Sequence, residues 1–532
     1  MSVSFRSSTV VALMALWASP AFGQSTNNQQ DLEYRELELE ETENKVDWNA
    51  GFETEYYSYN NIDFRKRDES SDQAILDSDD RSTFAFTGAR FELGYDVDDH
   101  VKFVIAASHR GLWGNDQVGN TNVFGGWMYF NALYSEYTTG MDGEGVRFRV
   151  GRQFYRMGAL AGARDFILAD VLDMVRVDVP LGDKMSLTLI PINVMSTGSN
   201  ADGADFVQYI GQGAVETFNF RGDLMTRRYG GTFNLEEAGP VEAVAYGFYT
   251  DVGAVGSGSD ISYDGLLGNF TDNDWVANYG IRATATFGPV RPYAHFDGST
   301  GVDRKELVAE DVDCTGFAYG AGIRVDTTDE EAGTGGFVGE ASYFDAFGPA
   351  YGSENGQSGL QYSHGYVGLK AQQAGGTILN RFLGWHPTAY VSLFGVTDNP
   401  QDQSRKSGTQ VIHARAGYEF DFGFGASAAW WMMSDSGFTR LNFNQLDNIT
   451  PPFGYSRSEF EAQQRLGNML AQEIDLDLTY QATEGMTVYA SGAYVLPGSF
   501  QSITIDRVAG DNLGSADPVA PWAAYAGTRL RF

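Results

Sequence analysis

Residues 276–287 read Val276-Ala-Asn-Tyr-Gly-Ile-Arg-Ala-Thr-Ala-Thr-Phe287. Ala277, Tyr279, Ile281, Ala283, Ala285 and Phe287 share one parity, and Asn278, Gly280, Arg282, Thr284 and Thr286 share the other. A period of two means a β-strand, because successive strand side chains point to opposite faces. Residues 316–326 repeat the pattern, with Phe317, Tyr319, Ala321, Ile323 and Val325 opposite Gly320, Gly322, Arg324 and Asp326. So do residues 410–420, with Ile412, Ala414, Ala416, Tyr418 and Phe420 against His413, Arg415, Gly417 and Glu419. A soluble sandwich would pack large aliphatics inward and turn polar residues out. Here the apolar face ends in Tyr, Trp and Phe, and the other face is small or charged. That combination suits a barrel whose outside meets lipid and whose lumen holds water.

The same grammar runs from Val46 to the end of the chain. Short breaks at Asp96 to His100, Leu181 to Lys184, Glu236 to Pro240, Gly288-Pro289 and Asp421 to Gly423 alternate with long ones at 60–81, 195–225, 251–275, 298–315 and 434–470. Tight turns on one side and extended loops on the other are the mark of an outer-membrane barrel. Inspection gives about 20 candidate strands, within the range of roughly 16 to 20 that a chain of this length fits. The expected fold is all-β, a transmembrane antiparallel β-barrel. Residues 124–138 resist a facing assignment, because both parities are apolar. The chain closes on Trp522-Ala-Ala-Tyr-Ala-Gly-Thr-Arg-Leu-Arg-Phe532. Parity turns Phe532 and Leu530 toward lipid and Arg529 and Arg531 inward, and the terminal Phe resembles the signal read by Gram-negative barrel-insertion machinery.

Composition narrows the function classes. The chain has 532 residues, with 36 Lys+Arg against 70 Asp+Glu and a formal net charge of −34. Nucleic acid is therefore excluded as a partner. An aromatic content of 14% argues against disorder. The mean hydropathy of −0.28 and the lack of a long apolar run beyond the N-terminus exclude a helical membrane protein, though not a barrel. Residues 1–23 read as a signal peptide: Arg6, an apolar stretch from Val10 to Trp17, and a cleavage site at Ala21-Phe22-Gly23. Residues 24–46, with Glu36-Leu-Glu-Leu-Glu-Glu41, read as an acidic extension, and 47–532 as the barrel. The single Cys314 forbids an intrachain disulfide and reads as an incidental loop thiol.

Two stretches resemble the alginate export family of outer-membrane proteins. One is Glu473-Ile-Asp-Leu-Asp-Leu-Thr-Tyr480, followed by Thr483-Glu-Gly-Met-Thr-Val488 and Tyr494-Val-Leu-Pro-Gly-Ser-Phe500; it is similar to that family's late hairpin. The other is Val146-Arg-Phe-Arg-Val-Gly-Arg-Gln-Phe-Tyr155, similar to its Gly-Arg-Gln strand end, a motif that also recurs in unrelated porins. Together they cover about a tenth of the chain. The resemblance implies a barrel of 18 strands in single copy, and a lumen whose arginines conduct an acidic polysaccharide outward.

A channel for a polyanion needs cations at its constriction, and arginine keeps its charge at any relevant pH. Parity places Arg90, Lys102, Arg147, Arg149, Arg228, Arg282, Arg324, Arg415 and Arg529 in the lumen, with Glu92, Glu419, Asp475 and Asp477 as the lumen acids. Bases are thus expected to outnumber acids inside. Arg147, Arg149 and Arg152 are read together as pore-lining, since they crowd one strand that runs into Gly158 to Arg164, a segment able to fold inward; only Arg152 matches the Gly-Arg-Gln motif. The plainer reading is that lumen arginines satisfy neighbouring acids across strands, as in any porin.

No cofactor is implied. Asp272-Asn-Asp274 and Asp202-Gly-Ala-Asp205 could bind Ca²⁺ in loops, but neither has a defined calcium-loop spacing. Residues 455–471, with Phe460, Leu466 and Leu470 at helical spacing, suggest a short helix capping the vestibule; the plainer reading is packing against the barrel rim. His100, His109, His295, His364, His386 and His413 form no metal motif, so an enzyme is not expected. The expected partners are outer-membrane lipid and lipopolysaccharide, the barrel-assembly machinery, and an anionic polysaccharide or a small anionic solute. The resulting reading is a passive channel for an alginate-like polymer; the alternatives are a diffusion porin for small anions and a surface receptor.

Overall fold

The computed structural model describes residues 46–60, 81–112, 127–140, 145–156, 169–196, 225–252, 275–303, 312–328, 335–347, 350–352, 360–363, 365–366, 376–378, 409–435, 469–498 and 520–532. The acidic loop clusters, the leader, the extension up to residue 45 and Gly158 to Arg164 lie outside these residues.

The strands in chain order are β1 (Val46–Asn60), β2 (Arg81–Asp96), β3 (Val101–Leu112), β4 (Trp127–Thr138), β5 (Arg147–Arg156), β6 (Ala169–Pro180), β7 (Met185–Ser196), β8 (Met225–Ala238) and β9 (Val241–Val252). They continue with β10 (Trp275–Ala285), β11 (Val290–Asp303), the two-residue β12 (Val312–Asp313), β13 (Gly316–Asp326), β14 (Gly336–Ala346), and the short β15 (Ala350–Gly352) and β16 (Leu360–Ser363). The last five are β17 (Thr409–Glu419), β18 (Phe424–Asp435), β19 (Met469–Thr483), β20 (Met486–Pro497) and β21 (Trp522–Arg531). With β12, β15 and β16 set aside as loop strands, the other eighteen pair antiparallel with both neighbours, β11 meeting β13 and β14 meeting β17. The ring is closed: β21 pairs with β1 from Asn60↔Trp522 to Gly51↔Arg531. Closure leaves no open edge, which is what a sheet needs to cross hydrocarbon.

Strand length fits that role. A strand of 12 residues such as β3 or β20, at about 3.3 Å per residue and a tilt of about 40°, rises roughly 30 Å, enough for an apolar band about 25 Å tall. The alternation read in 276–287 is observed: Ile281 is 53% exposed on the outside, and Arg282 beside it is 1% exposed inside. Trp48, Tyr95, Phe103, Tyr137, Phe148, Phe287, Phe337, Tyr418, Phe420, Phe422, Tyr480 and Phe532 ring the outside at the turn end. Tyr56, Tyr229, Tyr249, Phe317 and Tyr494 do so nearer the loop end. An apolar exterior between aromatic girdles on a closed antiparallel barrel makes this an integral outer-membrane protein. Among the described residues no helix is long and apolar enough to cross a membrane.

The turns are built for tightness. Gly288 (φ 59°) and Gly423 (φ 80°) take left-handed conformations, and Gly423 donates its N–H to Phe420 O at 2.9 Å. Within the ambiguous stretch, residues 130–138 resolve beyond a bulge. Register shifts between Ala106 and Ala107, and beyond it Leu133 and Tyr137 face out while Ala132 packs inside with Val104 and Ala106. The helix expected over 455–471 is not supported at its end: Met469, Leu470 and Ala471 begin β19, with Ala471 buried inside the barrel. Cys314 is buried against Val276, its N–H bonded to Gly301 O at 3.0 Å.

Candidate functional site

Two features dominate the lumen: a piece of chain folded into it and a wall of charged side chains below that piece. The inserted piece belongs to the connection between β14 and β17. Tyr366 donates its N–H to Phe347 O at 3.0 Å and is fully buried among wall residues. Its phenol bonds Tyr246 of β9 and lies near Asp297 of β11 and Arg282 of β10. Burial, and then the carboxylate of Asp297, push that phenol well above the ordinary tyrosine range.

The same connection is anchored again on β19 and β20, farther round the barrel. Gly376 donates its N–H to Glu473 Oε2 at 3.0 Å, and Ile378 donates to Glu473 Oε1. Thr377 donates its N–H to Asp475 Oδ1 at 3.0 Å, and its hydroxyl meets Ser491 Oγ at 3.2 Å. Asp475 also accepts the Trp431 indole N–H at 3.0 Å. A Cβ at Gly376 would run into the Asp475 carboxylate and force it to shift from its bonds to Thr377 and Trp431. Tyr366 and Ile378 share one apolar cluster with Ala318, Phe344, Val411, Trp431, Met433 and Val495, so the wall from β13 to β20 is lined for this insert. These wall residues lie toward the loop ends of their strands. The insert therefore narrows the loop half of the barrel.

In the turn half the lumen arginines sit mostly in ion pairs. Arg90 meets Glu92 at 2.8 Å, Lys102 meets Asp47 at 3.7 Å, and Arg324 meets Asp326 at 3.0 Å. Arg529 meets Glu53 at 2.8 Å, and Arg176 meets Asp178 at 2.9 Å. Arg147 and Arg149 share Glu136, with Arg149 also over the Tyr134 ring at 5.5 Å. Arg228, at the loop end of β8, is buried and donates to Thr250 Oγ1 at 3.2 Å. The cation is often the wetter partner: Arg147 is 43% exposed against 15% for Glu136, Arg324 34% against 24% for Asp326, and Arg529 25% against 16% for Glu53.

One stretch of wall is different. Across β11, β13, β14 and β17 the register sets Arg291 opposite Arg324, Arg324 opposite Glu340, and Glu340 opposite Arg415. Arg415 is exposed to the lumen; among the described residues its guanidinium bonds Ser427 Oγ at 3.1 and 3.3 Å and meets no carboxylate. Three guanidinium groups thus share this row with one acid.

Several sequence expectations need correction. Arg152 does not face the lumen. It lies on the parity of Phe148 and Val150, and pairs with Asp173 on the outside at 2.7 and 2.9 Å. Pairing runs without a slip through Arg147↔Asp178 to Arg152↔Asp173, so five residues separate Arg152 from Arg147 and put it on the opposite face. Nor, among the described residues, do bases outnumber acids inside. Asp47, Glu53, Glu55, Glu136, Asp178, Asp297, Asp326, Glu340 and Glu473 also face inward, several of them two residues from, or directly across from, an arginine. Glu92, Glu419, Asp475 and Asp477 do lie on the lumen parity, and Asp475 serves the insert. Leu530 and Phe532 face out as parity requires. The insert itself has no periodic signature, and its anchors Glu473 and Asp475 show in sequence only as one more alternating pair.

No family model and no curated protein matches this chain, so the resemblance to alginate exporters gains no support at the family level. Among solved structures, Pseudomonas aeruginosa OccK9 (OpdG) is similar at 10% identity over 92% of this chain and 98% of its own, with a TM-score of 0.45. Pseudomonas aeruginosa OccK5 (OpdH) gives 9% identity, 91% and 98%, and 0.44. The outer membrane protein OprD of the same organism gives 9%, 96% and 97%, and 0.44. At these values the fold rests on the strand register itself.

Proposed function

We propose that the barrel is a passive diffusion channel for small solutes, with carboxylate-bearing ones favoured along the row Arg291, Arg324 and Arg415. The observation that carries this reading is the insert: a lumen narrowed by Tyr366 and by Gly376 to Ile378 favours compact solutes over a bulky hydrated polymer. Below the insert a solute meets guanidinium groups of which Arg147 and Arg324 are wetter than their acid partners, and at Arg415 one with no acid partner among the described residues. Fixed cations of this kind lower the barrier for a carboxylate, and the neighbouring acid prevents trapping.

Export of an acidic polysaccharide, which the resemblance to alginate exporters implies, asks for a wide lumen with unpaired cations along its length. The paired arginines and the insert disfavour it. Catalysis is also disfavoured: the buried His295 Nδ1 contacts Asp297 Oδ2 at 2.7 Å and its ring stacks on Phe344, a packed arrangement rather than an accessible one.

Reversal potentials in planar bilayers test the proposal. The native channel should prefer small carboxylates to cations of similar size, and Arg415→Ala should lower that preference roughly two- to three-fold, the effect of losing about 0.5 kcal/mol at a water-facing charge. Cation preference in the native channel would refute the anion reading.

A further inference from the structure

We propose that the outer face of β4 to β6 is a contact between two copies of this chain, related by a two-fold axis along the membrane normal. The strand register turns Arg152 to the outside of β5. Arg152 and Asp173 form a bidentate ion pair on the outside of the barrel, their side chains 43% and 50% exposed. Arg152 stands four residues above Phe148 of the turn-end girdle, which is about 10 Å higher at ordinary strand rise and tilt. It therefore lies inside the apolar band. Val150 and Leu133 are exposed on the same face, and Val175 and Val177 continue it on β6. Among described outward side chains of the barrel strands this is the one ion pair; the outward acid Asp345 is instead buried beneath Tyr319 and Tyr343.

A charge pair turned toward hydrocarbon is costly unless protein covers it. The pair also specifies what covers it. Arg152 and Asp173 are side by side on adjacent strands, so a two-fold axis through the patch sets each Arg152 against the other copy's Asp173. The result is a closed quartet of alternating charge from one self-complementary patch. A lipid headgroup is excluded by depth, and a cyclic assembly of three or more copies does not bring the patch against itself. This departs from the single-copy barrel that the sequence resemblance implies.

Cross-linking and depth labelling test it on the full chain in lipid. Val150→Cys, beside the pair, should be joined into a two-copy species by a short bifunctional maleimide, whereas Ile281→Cys, on the outside of β10, should not. A bimane at position 150 should be quenched several-fold less by doxyl lipid than one at 281. Arg152→Asp should split the two-copy species, and Arg152→Asp with Asp173→Arg should restore it, since the swapped pair is again self-complementary. Heat-modifiable mobility reports whether each variant has closed its barrel. A single-copy protein, equal quenching at 150 and 281, or an assembly that ignores Arg152→Asp would overturn the proposal, and the Val150 result stands without any change to the ion pair.

Discussion

Glu473 and Asp475, two residues apart on β19, accept three backbone N–H groups of the insert. Hydrogen bonds to a charged acceptor are worth about 1.5–3 kcal/mol each, so replacing both carboxylates should release the insert while the barrel ladder holds. Gly376→Ala should act in the same direction through its clash with Asp475. Tyr366 adds a pH dependence. Its docked phenol titrates above the released one, so docking is at full strength below the ordinary tyrosine value of about 10 and weakens as pH rises beyond it. Conductance should therefore climb in alkaline solution, and recordings of Tyr366→Phe should lack that climb. Arg152→Ala should leave ion selectivity as it is, in contrast to Arg415→Ala, because Arg152 is outside the conducting path. At this scale parity was the legible quantity. Parity and the strand register agree on turning Arg90, Arg147, Arg149, Arg282, Arg324, Arg415 and Arg529 inward, whereas grouping Arg152 with Arg147 and Arg149 as pore-lining set parity aside on that strand.

The elements follow the alternation closely because one buried or lipid-facing parity fixes each register. The ends of β1 and β21 are an example. Phe532 donates its N–H to Ala50 O at 2.9 Å and accepts from Ala50 N at 3.3 Å, so the terminal residue closes the seam besides facing lipid. If Phe532 is an insertion signal, deleting it should lower the yield of closed barrel in the outer membrane, read as loss of the compact band on unheated gels; unchanged yield would overturn that reading. The insert was illegible for a physical reason. Its anchors are backbone amides bonded to carboxylates of β19 and one hydroxyl contact to Ser491 of β20, about a hundred residues away, and such contacts leave no periodicity. The same limit explains the helix expected over 455–471. Leu466 and Leu470 have helical spacing, but the end of that stretch pairs instead with β18 and β20.

For the whole molecule, closure and an apolar exterior follow from eighteen copies of one pattern, whereas the character of the lumen depends on which acids stand beside which arginines. The net charge of −34 does not reside only in loops, since Asp47, Glu53, Glu136 and Asp178 line the wall and hold the cations in place. The account therefore turns on the insert as the element that sets what can pass. Single-channel conductance of the native barrel beside a Glu473→Ala, Asp475→Ala variant measures this directly, with small carboxylates and acidic sugar oligomers added in turn. A narrow native channel that passes the carboxylates and resists the oligomers, and a variant with conductance raised about two-fold or more, is the result expected if the freed insert had occluded the lumen. Equal conductance in the two proteins, or ready passage of the oligomers through the native one, would contradict it.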